Sequence, residues 1–123
     1  MGPFEGGGDW SDTGIKGVDR FVQKIWKVFS REAVEKDSKE VITKLHATIK
    51  KVSQDIDRLQ FNTALSALME LMNLANKEPG VTKETAETFA TLIAPMAPHL
   101  AEELWEKAGG TGFAIQQDWP TYD

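Results

Sequence analysis

The chain of 123 residues carries 14 basic and 19 acidic side chains, two histidines and no cysteine, with 41% of its residues hydrophobic and a formal charge of −5. That length supports one domain with its own core, which excludes a disulfide-stapled secreted mini-protein, and the four tryptophans and 27% charged residues lie far from the composition of a disordered chain. No apolar run approaches the roughly 20 residues of a membrane span, and no basic-then-apolar leader opens the chain, so the sequence reads as a soluble protein of a reducing compartment.

Glycine gathers at the ends, six of the ten within the first 17 residues and three between Gly109 and Gly112. The pattern predicts an irregular lead-in over 1–12, an irregular tail over 111–123, and regular structure between them. Ile15, Val18, Val22, Ile25, Trp26 and Phe29 recur at helical steps, predicting a first helix over about 13–31 capped by Ser11 or Asp12 and weakened in its first turn by Gly14 and Gly17. Asp37 followed by Glu40 has the form of a capping box for a second helix reaching about Arg58, with Val41, Ile42, Leu45, Ile49, Val52, Ile56 and Leu59 as its stripe. The segment Gln60-Phe61-Asn62 reads as a joint with Asn62 as the cap of a third helix, which stops before Pro79-Gly80. Thr82 opens a fourth helix bearing Ala86, Phe89, Ala90 and Ile93. Pro95 and Pro98 force a break, and Pro98 suits the first position of a fifth helix that carries Leu100, Leu104 and Trp105 to Gly109-Gly110. The tail offers at most a short extended strip near Phe113, Ala114 and Ile115. The fold class expected is all-α, a helical bundle of about five helices.

Catalytic sets are missing from the pattern. No Glu-x-x-His pair occurs, His46 and His99 are more than fifty residues apart, Glu102 and Glu103 are adjacent and so face different directions, and neither a nucleophile elbow nor a phosphate-binding glycine loop is present. The sequence therefore predicts no catalytic residue, no metal site and no cofactor held by this segment. Trp26, Trp105, Met69, Met72 and Met96 read as core.

Charge is distributed unevenly. Residues 14–31 hold Lys16, Arg20, Lys24, Lys27 and Arg31 against Asp19 alone, whereas residues 78–123 hold eight acids against Lys83 and Lys107. The five cations are spaced four, four, three and four, which aligns them along one side of the first helix beside its apolar stripe. Such a strip admits two readings: a solvated face, or a track for a phosphate backbone extended by Lys50, Lys51 and Lys44 of the second helix. Like charges at i,i+4 repel by a few tenths of a kcal/mol per pair, about the amount a bound polyanion would return.

Nearly the whole chain carries a family resemblance. Met1-Gly2-Pro3-Phe4-Glu5, Trp10-Ser11-Asp12-Thr13-Gly14, Gly17, Arg20-Phe21 and Trp26 resemble the segment that follows the catalytic signature loop of leucyl-tRNA synthetases. His46-Ala47-Thr48-Ile49-Lys50-Lys51-Val52, Asp55-Ile56 and Phe61-Asn62-Thr63-Ala64 resemble that family's second and third bundle helices. Ala94-Pro95-Met96-Ala97-Pro98-His99-Leu100-Ala101-Glu102-Glu103-Leu104-Trp105 and Asp118-Trp119-Pro120 are similar to motifs shared by the class I synthetases for leucine, valine and isoleucine. Gly6-Gly7-Gly8 departs from the more varied residues usual there.

The resemblance implies a single anticodon-binding-type helical domain over residues 1–123, a piece of a cytoplasmic ligase that joins leucine to tRNA(Leu) with ATP and Mg. It implies that the nucleotide-binding motifs and the editing domain precede Met1 and that a small domain follows Asp123. The partners implied are the tRNA backbone and the parent's catalytic domain, with no membrane. RNA contacts are expected at Lys16, Arg20, Lys24, Lys27, Arg31, Lys50 and Lys51. The alternatives are the equivalent domain of a valyl- or isoleucyl-tRNA synthetase, or a protein-interaction bundle that docks through Phe4, Trp10, Phe113 and Trp119.

Overall fold

A computed structural model describes residues 15–114 and 117–120, with side chains from residue 19 onward. Five helices follow in order: α1 (Ile15–Phe29), α2 (Lys39–Asp57), α3 (Phe61–Ala75), α4 (Lys83–Ile93) and α5 (Pro98–Lys107). Among the described residues no strand occurs, and no helix is long and apolar enough to cross a membrane. The lead-in over 1–12, the Ser11 or Asp12 cap, Phe4, Trp10 and Ile115 lie outside the described residues. The extended strip expected near Phe113 is replaced at Ala114 by a 3-10 turn.

The apolar stripes meet as their periods require. α3 packs along α2 and also touches α1 and α4, and α5 packs on α4. Phe21, Ile25 and Val28 of α1 are buried with Leu68, Leu71 and Met72 of α3 and Phe89, Leu92 and Ile93 of α4. Phe89 is fully buried between two rings of α1, 6.4 Å from Phe21 edge-on and 5.9 Å from Phe29. Those two phenylalanines are eight residues apart, about 12 Å along a helix, so the single ring of α4 braces α1 over two turns. Trp105 is buried, and Trp26, Met69 and Met96 pack against the core.

The ends of the helices are fixed by local chemistry. α2 begins one residue later than the capping-box reading places it, because Ser38 takes the cap: its Oγ accepts from the Val41 N–H at 3.2 Å. Asp37 serves α4 instead. Its Oδ1 accepts from the Thr82 N–H at 2.9 Å, and its Oδ2 accepts from the hydroxyls of Thr82, at 2.8 Å, and Thr85. Thr82 in turn caps α4 as expected, its Oγ1 accepting from the Thr85 N–H at 3.2 Å. Alongside, Val34 N–H donates to Val81 O at 3.1 Å, and a Cβ on Gly80 would lie 2.5 Å from Glu32 O. The α1–α2 and α3–α4 connections are thereby stitched side by side, 45 residues apart in sequence.

α2 and α5 end in the same motif with different residues. Gly110 N–H donates to Trp105 O at 2.9 Å and Gly109 N–H to Glu106 O at 3.0 Å, with Gly109 at φ +85°. A side chain on Gly110 would strike the Trp105 indole, 2.2 Å away, so that glycine is demanded by the ring. At the end of α2, Gln60 N–H donates to Asp55 O at 2.7 Å and Leu59 N–H to Ile56 O at 3.0 Å, but the left-handed position is filled by Leu59 at φ 58°. This claims Gln60, so α3 starts at Phe61 with no side-chain cap, and Asn62 falls inside its first turn.

Beyond α5 the chain turns back on the bundle. Trp105 Nε1 donates to Thr111 O at 3.1 Å, Glu102 Oε1 accepts from the Ala114 N–H at 2.7 Å, and Trp119 Nε1 donates to Ser53 Oγ of α2 at 2.7 Å.

Three stability changes follow. Leu59→Gly removes the left-handed strain of a side chain that is 67% exposed, and raises unfolding free energy by about 0.5–1 kcal/mol after glycine's own entropy loss. Asp37→Ala strands the three donors it serves and lowers stability by about 2 kcal/mol, against about 1 kcal/mol for Ser38→Ala. Urea denaturation followed by circular dichroism measures all three.

Candidate nucleic-acid interface

Helix geometry settles how the strip faces. At about 100° per residue, Arg20, Lys24 and Lys27 fall within roughly a sixth of the α1 surface, on the side away from Ile25, and Arg31 follows two residues past the end of the helix. Arg20 and Lys27 are exposed, while Lys24 and Arg31 are half-buried on the flank nearest α3. The Lys16 side chain lies outside the described residues.

That flank makes polar contacts across the helix pair. Lys24 Nζ donates to Asn73 Oδ1 of α3. Arg31 Nη1 donates to Asn76 O at 3.0 Å and Glu78 O at 2.8 Å, and its Nη2 to Asn76 Oδ1 at 2.9 Å. A guanidinium is thus placed on carbonyls just past the carboxyl end of α3, where a cation is favoured both by hydrogen bonding and by the helix dipole. Sequence spacing assigned Arg31 to the strip of the first helix; it lies past the end of α1, and the spacing gave no sign of its tie to α3, because its partners sit 45 to 47 residues away.

The second-helix cations separate. Lys50 and Lys51 are both exposed, yet adjacent helical positions diverge by about 100°. Lys51 shares a flank with Lys44, whose Nζ bonds Glu70 Oε1 of α3 at 2.9 Å, and Lys50 points elsewhere. Lys51 Nζ also lies 3.3 Å from Oδ1 of Asp55, a carboxylate only 1% exposed, whose Oδ2 has no partner. Charge neutralisation of a buried carboxylate therefore draws Lys51 toward the bundle. α3 forms a ridge between the two flanks, contributing exposed Asn62, Ser66, Glu70 and Asn73, with exposed Lys77 two residues past its end. The periodicity of α3 carried that polar ridge, but only the packing shows it lying between the cations of α1 and those of α2.

The other titratable groups are scattered. His99 is exposed at the start of α5, and half-buried His46 has an Nδ1 without a partner. Among the described residues no three His, Asp or Glu side chains are grouped to hold a metal ion. Phe113 and Trp119 are exposed at 59% and 38%, placing two of the four expected docking aromatics on the surface.

Residues 38–123 match the family described as anticodon-binding domain of tRNA ligase, which takes in α2 to α5 and the tail. The chain belongs to that family. α1 precedes the matched range, but similarity at full length includes it. The whole chain is 41% identical, over 139 aligned positions, to the leucine-tRNA ligases of two strains of Dehalococcoides mccartyi, and 39% identical, over 135, to that of a third strain. It spans 17% of the length of those relatives. The anticodon-binding domain described here therefore carries its most basic element immediately before the part the family shares.

Arg31→Gln is expected to cost about 2 kcal/mol, because the carbonyls past α3 lose a charge-assisted donor in a half-buried site. Lys27→Gln, on the same strip but exposed, is expected to stay within about 0.5 kcal/mol of wild type. Chemical denaturation of both variants checks the contrast.

Proposed function

We propose that this chain is the tRNA-supporting helical domain of a leucine-tRNA ligase, and that the outward cations of α1 hold phosphates of the folded RNA without reading its sequence. The observation that carries the reading is the orientation of α1: its apolar side is locked into the core by Phe21, Ile25 and Val28, so Arg20 and Lys27 stand in solvent in a chain whose net charge is −5. The full-length likeness to leucine-tRNA ligases supports tRNA(Leu), rather than a valine or isoleucine acceptor, as the RNA. Backbone contacts from one helix face suit recognition of RNA by shape.

The parent enzyme, in the cytoplasm, attaches leucine to tRNA(Leu) using ATP and Mg. Both bind its catalytic domain, and this segment adds no reacting group. Lys24 donates to the RNA from a position prearranged by Asn73, Arg20 and Lys27 supply exposed guanidinium and ammonium groups, and Lys16 is a further contact. Lys50 and Lys51 are the outer contacts, Lys51 at the expense of its pairing with Asp55. Arg31 acts chiefly as the tie that fixes α1 on α3. The catalytic domain of the parent covers the exposed aromatics Phe113 and Trp119.

Titration of the 123-residue chain with tRNA(Leu) at several salt concentrations tests the reading. Wild type is expected to bind with a slope of log K against log salt of about −0.7 to −0.9 per phosphate contact. Replacing Lys16, Arg20, Lys24 and Lys27 with glutamine is expected to flatten that slope by about 3 while leaving the helical circular dichroism unchanged. Unaltered affinity in the fourfold variant refutes the role given to the strip.

A further inference from the structure

Two cations outside the strip share one location. The acidic segment 78–123 contains eight carboxylates and just two basic residues, Lys83 and Lys107. One opens α4 and the other closes α5, yet both line the same cleft of about 160 Å³, together with Arg31 beyond the end of α1. The floor is apolar, formed by Val28, Phe29 and Val81, so the polar groups at its mouth are chiefly the cations. Lys83 reaches toward the end of α5, since a Cβ on Gly109 would lie 3.5 Å from its Cε and 3.8 Å from its Nζ.

Nearby acids do not neutralise this group. Asp37 is turned onto Thr82 and Thr85, and both lysines are exposed without a hydrogen-bond or ion-pair partner among the described residues. Glu84 and Glu106 are sequence neighbours of the lysines, but adjacent helical positions project about 100° apart, and Glu87 and Glu103, one turn along the same faces, form no ion pair with them among the described residues. Arg31, which lines the cleft, follows directly on the last turns of α1 that carry Lys24 and Lys27.

We propose that this cleft is a second phosphate-binding point for RNA, where Lys83 and Lys107 receive a phosphodiester after the backbone has passed along α1. The inference rests on the RNA-binding reading and adds a place where the path turns from α1 onto α4 and α5. A phosphate oxygen at the mouth meets two ammonium groups, and the rigidly held Arg31 guanidinium supplies positive potential behind them.

The test compares the 123-residue wild type with Lys83→Gln/Lys107→Gln and Lys83→Arg/Lys107→Arg in tRNA(Leu) titrations across salt, with thermal unfolding of each. The glutamine pair is expected to flatten the salt slope by roughly 1.5 and to weaken binding on the order of tenfold or more near 0.1 M salt, while the arginine pair stays within about twofold of wild type. Wild-type binding with an unchanged slope in the glutamine pair overturns the cleft alone and leaves the α1 strip standing. Equal weakening by both pairs also overturns it, since charge would then not be the operative property. Absence of tRNA binding by wild type overturns the RNA reading and the cleft together.

Discussion

The amphipathic division of α1 governs where charge stands on this molecule. Burying Phe21, Ile25 and Val28 against α3 and α4 removes apolar side chains each worth about 2 kcal/mol or more from water, far more than the few tenths lost to repulsion between successive cations. The apolar side therefore chooses the orientation, and the basic side is carried outward as a consequence. Phe89, held between Phe21 and Phe29, fixes that rotation over two turns, since turning α1 by one residue would withdraw both rings.

Holding α1 in rotation is not enough to hold it in place along the bundle, and polar groups supply that second constraint. Arg31 ties the end of α1 to Asn76 and Glu78, while Asp37 ties the following loop to the start of α4. Arg31 serves carbonyls past a helix end, and Asp37 serves a backbone N–H and two hydroxyls at a helix start, which makes both contacts structural even though the residues are ionic. The same loop region carries the close approach of Gly80 to Glu32, so the end of the bundle where Lys83 sits is specified by three independent contacts. Positioning of Lys83 beside Lys107 follows from this stitching and from the way α5 doubles back on α4.

The elements legible in the sequence were those written in local chemistry. Periodicity indicates five helices, Thr82 caps α4, Pro98 opens α5 and the glycines past Lys107 close α5, each within a few residues. What went astray involved competition between near and distant partners. Asp37 followed by Glu40 satisfies the local pattern of a cap, but Ser38 can perform that task, which leaves Asp37 free for Thr82 and Thr85 far along the chain. Asn62 looked like a cap because nothing in its surroundings reveals that Leu59 adopts a left-handed turn and completes the end of α2 first. The candidate interface follows the same rule. The spacing of the α1 cations identified one helix side without identifying which members were already engaged, and the pairing of Lys83 with Lys107 had no local signal at all, only their rarity in an acidic segment.

An excess of acid is compatible with holding RNA because charge acts locally in salt water. At physiological ionic strength potentials decay over about 8 Å, so Arg20 and Lys27 are felt by a phosphate at contact, whereas carboxylates on the far side of a bundle several helices wide are screened. The acids of α4 and α5 then serve orientation: a polyanion approaching that side is repelled, and one approaching α1 is drawn in. Lys83 and Lys107 interrupt the repulsive surface at its border with α1. On the proposed RNA-binding reading, this asymmetry aligns a polyanion better than a uniformly basic surface, which would bind RNA in many registers and align it in none.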